Sequence, residues 1–205
     1  MYDLSYIGAV RQHLNPTSSK EEQIQSALSE LATIEPYTAR HSYRVGVIAG
    51  RIAEELSLDP EMIERVTLGG MLHDIGKSGV SLSALCKPSK LSEDEFKDIM
   101  KHPELGASLI QSSPKLLDLI PAVLYHHERF DGQGYPFGLS GEEIPIEARV
   151  IAVADSYDAM TSDRVYRKAL THEFAVEELS RCAGVQFDPD VVEGALTADL
   201  DRLPT

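Results

Sequence analysis

Apolar residues in this chain recur every three or four positions, stretch after stretch, with almost no alternating pattern, and several stripes run into a histidine or an aspartate. The spacing predicts an all-α fold, helix packed on helix. The polar ends set a problem for that core. A carboxylate buried without a partner costs several kcal/mol, so the fold must supply one.

Residues 1–35 read as a helical lead-in. Ser18-Ser19-Lys20-Glu21 has the form of a capping box, and Ile24, Ala27, Leu28 and Leu31 follow at helical spacing. Pro36 breaks the helix, because proline pushes the preceding Glu35 out of helical geometry. The remainder, residues 36–205, reads as one domain. A helix from Tyr37 to Leu56 buries Val45, Ile48, Ala49, Ile52 and Leu56, with His41 extending the stripe by a turn. Asp59-Pro60 starts another helix, in which Ile63, Val66 and Gly70 lead to His73, and Gly69-Gly70 lets a neighbouring backbone come close. A loop from Gly76 to Leu91 precedes a capping box at Ser92-Glu93-Asp94-Glu95 and a helix to Lys101. His102-Pro103 marks the next junction. One helix from Pro114, with Leu116, Leu119, Ile120 and Val123 on its stripe, ends at His126-His127. Residues Glu128 to Pro145 form an ordered Gly/Pro-rich loop. A helix from Glu147 carries Ile151 and Asp155 on one face, and two shorter helices start at Thr171 and Asp188-Pro189.

Composition narrows the function. At 205 residues the chain can build one good core and scarcely two. No apolar run approaches the ~20 residues a membrane span needs, and the first residues lack a secretory leader, so a cytoplasmic protein without membrane contact is expected. Cys86 and Cys182 form no Cys-x-x-Cys pair, which excludes a thiolate-rich zinc site and leaves both as small packing residues. A formal net charge of −14 argues against a nucleic-acid polymer as partner. It allows a small anionic substrate, provided that cations in the site reverse the local field.

His41, His73, Asp74, His102, His126, His127 and Asp155 supply the donors for such cations. A lone histidine on an apolar stripe is usually a hydrogen-bonded core residue. Five of them at helix junctions or on core stripes, with two carboxylates, instead match the ligand chemistry of a borderline metal that activates water. Adjacent helical positions point ~100° apart, so His126 and His127 can share an ion only at a helix end, where the sequence puts them. His13 and His172 belong to no such set and read as surface residues.

His73-Asp74 with Ile75-Gly76-Lys77, followed by His126-His127-Glu128-Arg129-Phe130-Asp131-Gly132-Gln133-Gly134-Tyr135-Pro136, resembles the HD-GYP family, a branch of the HD-domain phosphohydrolases. The similarity runs on through Gly141-Glu142-Glu143-Ile144-Pro145, Ala152-Val153-Ala154-Asp155, Ala159-Met160-Thr161-Ser162-Asp163-Arg164 and Tyr166-Arg167-Lys168 to Gln186-Phe187-Asp188-Pro189, covering about Tyr37 to Leu196. The resemblance implies an HD-domain helical bundle with a metal centre in its core. The implied activity is a phosphodiesterase that opens cyclic di-GMP to linear pGpG, in some members onward to GMP. By motif position, His41, His73, Asp74 and Asp155 would hold one divalent ion, Fe or Mn. Asp74 would bridge to a second, held also by His102, His126 and His127. Lys77 falls beside the substrate phosphate, and Tyr135, Arg164 and Arg167 match substrate-contacting positions. Asp74 and Lys77 are the candidate catalytic residues. Members with three metals carry a glutamate one turn before the first histidine. Tyr37 stands there in this chain, so two metals are expected, and cleavage to GMP is put in doubt. The family's Arg-Pro-Tyr-Arg is here Arg164-Val165-Tyr166-Arg167. Two alternatives stand beside this reading: an HD-superfamily enzyme acting on another nucleotide or cyclic dinucleotide, and an inactive receptor or interaction module. A second copy of the chain or a signalling protein is the expected macromolecular partner.

Overall fold

A computed structural model describes residues 18–34, 36–85, 87, 90–163 and 168–203. Among these the regular elements are all helical, with isolated bridges joining Asp131 to Ser140 and Ala183 to Phe187. The α-helices are α1 (Lys20–Ile34), α2 (Pro36–Glu55), α3 (Pro60–Leu72), α4 (Leu82–Leu85), α5 (Glu93–Ile99), α6 (His102–Ile110), α7 (Ile120–Tyr125), α8 (Ile146–Thr161), α9 (His172–Arg181) and α10 (Pro189–Thr197). Short 3-10 turns span Ile75–Gly79, Pro114–Leu119, Gly141–Glu143 and Leu200–Arg202. None of the described helices is long and apolar enough to cross a membrane.

Side-chain caps start several helices where the sequence has Ser, Thr or Asp. Asp59 accepts the Met62 N–H at 2.9 Å with Pro60 in the first turn, and Thr171 accepts the Phe174 N–H at 3.3 Å. Ser92 and Glu95 close a reciprocal capping box at the start of α5. At α1 the box is one residue later than the sequence suggests. Ser19 Oγ accepts the Glu22 N–H at 3.2 Å, and Glu22 Oε2 accepts the Ser19 N–H at 2.8 Å, because the helix begins at Lys20 and the third helical position is Glu22.

Two other expectations need correction. The segment from Gly76 to Leu91 contains the turn at Ile75–Gly79 and α4, so only part of it is loop. The single helix expected from Pro114 to His126 is broken into the turn at Pro114–Leu119 and then α7. Pro121 supplies no N–H for an α-helical bond to the Leu117 carbonyl, and its ring would clash there.

The core forms two clusters. One gathers α2, α3, α8, α9 and α10 around Ile52, Val66, Ile151, Leu179 and Val191; the other gathers α1, the end of α3, α6 and α7 around Leu31, Leu72, Leu109, Leu119 and Val123. Each fully buried Leu or Ile contributes about 1.5–3 kcal/mol relative to exposure. Through Ile24, Ala27, Leu28 and Leu31 the lead-in helix α1 shares the second cluster. α2 and α3 touch backbone to backbone: a Cβ on Gly70 would lie 2.9 Å from Gly46 Cα. That approach, anticipated from Gly69-Gly70, brings the N-terminal turn of α2 beside the C-terminus of α3, and so His41 beside His73.

Candidate metal centre

Five of the seven candidate ligands sit at helix ends, and those ends converge. His41 lies in the early turns of α2, His73 and Asp74 just past α3, His102 at the start of α6, and His126 and His127 just past α7; Asp155 comes from the middle of α8. His41, His73, Asp74, His102 and His126 are all under 5% exposed. The rings are packed edge to face: His41 and His73 have centroids 5.4 Å apart, His73 and His126 5.0 Å, His102 and His127 4.9 Å. Three sets of donor atoms lie within 4.8 Å of one another: His41, His73 and Asp155; His102, His126 and His127; and, between them, His73, Asp74 and His126. All seven candidate ligands meet in one place. The expected helix-end position of His126 and His127 is what the structure has, since α7 stops at Tyr125.

Hydrogen bonds prepare these rings to donate electron pairs. His73, His102 and His126 each give Nδ1 to the backbone carbonyl three residues earlier (Gly70, Ile99 and Val123) at 2.7, 2.7 and 2.8 Å. With the proton on Nδ1, each Nε2 is a bare lone pair directed into the centre. Two consequences test the fit of a cation. His102 Nε2 and His126 Nε2 face each other at 3.2 Å, lone pair against lone pair. His73 Nε2 is buried and makes no hydrogen bond, although Asp74 Oδ2 lies 3.3 Å away. A divalent ion relieves both, and the donor set fits one.

The protonation states agree. Burial pushes His102 down to about 3 and His127 down to about 4, and burial with the nearby His127 and His73 holds His126 well below its ordinary value. These imidazoles are neutral at pH 7. Burial also opposes charge on His41, but hydrogen bonds to Asp155 and Asp158 outweigh it and lift the ring to about 9. Its Nε2 lies 3.0 Å from Asp155 Oδ1 and its Nδ1 2.7 Å from Asp158 Oδ2. A cation between His41 and Asp155 would displace the Nε2 proton. Burial alone would raise Asp74, yet the Lys77 ammonium beside it holds it well below the usual carboxylate range; Asp155 is likewise held down, against its burial, by His41. Both acids are therefore anionic.

The other candidates distribute as follows. Lys77, in the 3-10 turn, reaches Asp74 Oδ2 at 2.6 Å, so its ammonium stands at the centre. Tyr135 stacks on His127 with centroids 4.7 Å apart and planes 26° apart, and burial, with Asp74 and Asp155 nearby, raises its phenol, which stays a hydroxyl donor. Tyr37 stacks on His41, centroids 6.2 Å apart. Arg164 and Arg167, together with Cys86 and His13, lie outside the described residues. His172, expected at the surface, is half-buried, because Tyr157 bonds its Nδ1 at 2.8 Å.

Three residues support the centre in roles that the sequence did not assign to them. Asp158 accepts from His41 and Arg44, and it follows Asp155 by one helical turn, a spacing that could have exposed it. Arg44 follows His41 by three residues in the same way. Glu128, 3% exposed, accepts the N–H groups of Phe137, Gly138 and Leu139 at 2.8, 3.2 and 3.1 Å and so folds the Gly-Tyr-Pro loop over the site. Its adjacency to His126-His127 was the available signal.

Residues 21–191 match the family model described as HD domain. The chain is 41% identical over 182 residues to the cyclic di-GMP phosphodiesterase response regulator RpfG of Xanthomonas campestris pv. campestris, covering 86% of this chain and 48% of that protein. It thus spans about half the length of that curated relative. Among solved structures, a cyclic GMP-AMP specific phosphodiesterase of Vibrio cholerae, V-cGAP3, is 30% identical with a TM-score of 0.57, over 90% of this chain and 41% of that one. Bd1817 from Bdellovibrio bacteriovorus, an HDG"Y"P protein, is 20% identical with a TM-score of 0.65, over 93% of this chain and 69% of that one, a likeness of fold. With its ligand-bearing helix ends and its Gly-Tyr-Pro loop, the chain belongs to the HD-domain family, among the HD-GYP members that its sequence resembles.

Proposed function

We propose that this chain carries a metal-dependent phosphodiesterase that hydrolyses cyclic di-GMP to linear pGpG. The observation that carries the reading is the inward convergence of Nε2 lone pairs from His73, His102 and His126 on the anionic Asp74 and Asp155. His41, His73, Asp74 and Asp155 would hold one ion, and His102, His126, His127 and Asp74 a second. Imidazole and carboxylate donors without thiolate suit Fe(II) or Mn(II). Two ions rather than three is the reading supported by Tyr37, which stands at the motif position where three-metal members carry a glutamate and stacks beside His41 with ring centroids 6.2 Å apart.

Such ions supply Lewis acidity towards a phosphodiester oxygen and make water a competent nucleophile near neutral pH. The chain's own groups do the rest. Asp74 would serve both positions, since its Oδ2 lies 3.3 Å from His73 Nε2 and its Oδ1 3.4 Å from His102 Nε2. The Lys77 ammonium, anchored on Asp74, offsets charge that grows on the phosphate oxygens as the bond to the leaving 3′ oxygen breaks. Tyr135 offers a hydroxyl donor at the mouth of the centre, and Arg164 and Arg167, by motif position, would bind the remaining phosphate charge. Residues 36–205 form the hydrolytic unit in this reading, with residues 1–35 leading into it. A cytoplasmic location belongs to the proposal, because a cyclic dinucleotide messenger is an intracellular anion. A second copy or a signalling protein remains its proposed partner.

A second substrate is favoured by one finding: the 30% identical Vibrio cholerae phosphodiesterase V-cGAP3 is specific for cyclic GMP-AMP. The test is turnover of cyclic di-GMP, 3′3′-cGAMP and nucleoside monophosphates by protein loaded with Mn(II) or Fe(II), with product chromatography. Cyclic di-GMP should be opened to pGpG fastest, and Asp74→Ala should lose metal and hydrolysis together. Faster cleavage of 3′3′-cGAMP would replace the substrate, and turnover undiminished in Asp74→Ala would overturn the metal mechanism.

A further inference from the structure

The centre's rings are held in two different ways. His73, His102 and His126 lean on neutral backbone carbonyls, whereas His41 Nδ1 leans on a carboxylate, Asp158 Oδ2, at 2.7 Å. Asp158 is 2% exposed, one helical turn beyond Asp155 on α8. Arg44 grips both of its oxygens, Nε donating to Oδ1 at 2.6 Å and Nη2 to Oδ2 at 3.0 Å, and Ser162 Oγ adds a bond to Oδ1 at 3.1 Å. Arg44 lies one turn after His41 on α2, so ring and clamp are carried by the same two helices that bring His41 to Asp155. The arrangement satisfies every acceptor of a buried carboxylate and leaves one orientation for the imidazole.

We propose that Asp158, clamped by Arg44, is a positioning residue that aims His41 Nε2 and strengthens it as an electron-pair donor, so that the His41–His73–Asp155 position binds a divalent cation more tightly than the His102–His126–His127 position. The inference rests on the metal-centre reading above. A carboxylate accepting the Nδ1–H enriches the far ring nitrogen more than a carbonyl does, because the hydrogen bond is charge-assisted. The same position also has an anionic ligand of its own in Asp155, while the other combines three neutral imidazoles. Asp74 faces both, its Oδ2 lying 3.3 Å from His73 Nε2 and its Oδ1 3.4 Å from His102 Nε2, so it does not create the difference.

Asp158→Asn tests the clamp with little change of shape. Both Asp158 oxygens accept from Arg44, so either orientation of the amide sets its NH2 against an Arg44 N–H. Mn(II) titration calorimetry on the full chain, with folding checked by melting curves, would compare the substitution in two backgrounds. In His127→Ala, which keeps the His41 position, Asp158→Asn should weaken Mn(II) about 10–100-fold. In Asp155→Ala, which keeps the other position, it should change nothing, and Asp155→Ala should itself cost more affinity than His127→Ala. Equal weakening in both backgrounds, no weakening in His127→Ala, or the reverse order of affinities would overturn the inference while leaving the metal centre intact. Failure of the unsubstituted chain to bind Mn(II) would instead remove the centre, and the inference with it. Should Asp158→Asn fail to fold, Arg44→Gln, which spares the Asp158–His41 bond, should give a smaller shift confined to the same background; its absence would count against the clamp.

Discussion

Glu128→Gln is the substitution whose effect the geometry fixes most closely. The native carboxylate takes the Phe137 and Gly138 N–H groups on Oε1 and the Leu139 N–H on Oε2. A glutamine fitted in its place keeps the two bonds on its oxygen and turns its NH2 towards the Leu139 N–H, donor against donor. Hydrogen bonds to a charged group are worth about 1.5–3 kcal/mol each and neutral ones about 0.5–1.5 kcal/mol. Three of the first kind become two of the second, and the lower desolvation penalty of the amide returns part of the difference, leaving a loss of about 2–4 kcal/mol. That loss falls on residues 137–139 and on Tyr135, whose ring is held against His127 by the same loop. Amide hydrogen exchange read at Phe137, Gly138 and Leu139 should accelerate at least ~30-fold, at about tenfold per 1.4 kcal/mol, while amides in α2 and α3 stay protected. Turnover should fall with metal content unchanged. Unaltered exchange at those three amides would refute the reasoning, because it would mean the loop is held without Glu128.

The remaining predictions follow from single contacts. Lys77→Met should retain the metal content of the native chain and slow turnover about 10²–10³-fold, the usual loss when one transition-state donor is removed; loss of metal on elemental analysis would contradict the assigned role. Gly76→Ala should destabilise the chain by about 3 kcal/mol or more, since its Cβ would lie 1.9 Å from the His102 carbonyl oxygen and 2.4 Å from Gly106 N, backbone atoms with no room to yield; a urea midpoint equal to that of the native chain would refute the packing. In the metal-free protein, His102 and His127 are depressed to about 3 and about 4, so the unfolded chain takes up protons first and stability should fall as pH drops from about 6.5 towards those values. His41, raised to about 9, works in the opposite sense: its contribution is complete below about 6.5 and is lost as pH rises through 9. Urea midpoints across pH should therefore peak between these limits, and a midpoint that climbs steadily up to pH 9 would contradict the assignment.

Local chemistry made much of this protein readable in one dimension. Apolar spacing of three and four positions is a property of the helix itself, so Val45 to Ile52 and Leu116 to Val123 announced buried stripes, and Asp59, Ser92, Thr171 and Asp188 announced helix starts whose caps are bonds to residues two or three positions on. The seven candidate ligands could be named for the same reason, as histidines and acids at the ends of stripes or on the stripes themselves. Where a boundary depended on competition the reading slipped: Ser19 and Glu22 took the capping box from Ser18 and Glu21, and Pro121 divided a stripe that looked continuous. Contacts across the fold were beyond such reading. That the Nε2 atoms of His73, His102 and His126 come together around Asp74, that Asp158 on α8 meets both His41 and Arg44 on α2, and that Glu128 gathers three amides from the far side of its loop depend on distances between residues up to 117 positions apart. Periodicity carries no information about such distances. They are decided when α2 and α3 meet at Gly46 and Gly70, and with them α6, α7 and α8, because only then is a helix end close enough to another for a ligand atom to find its partner.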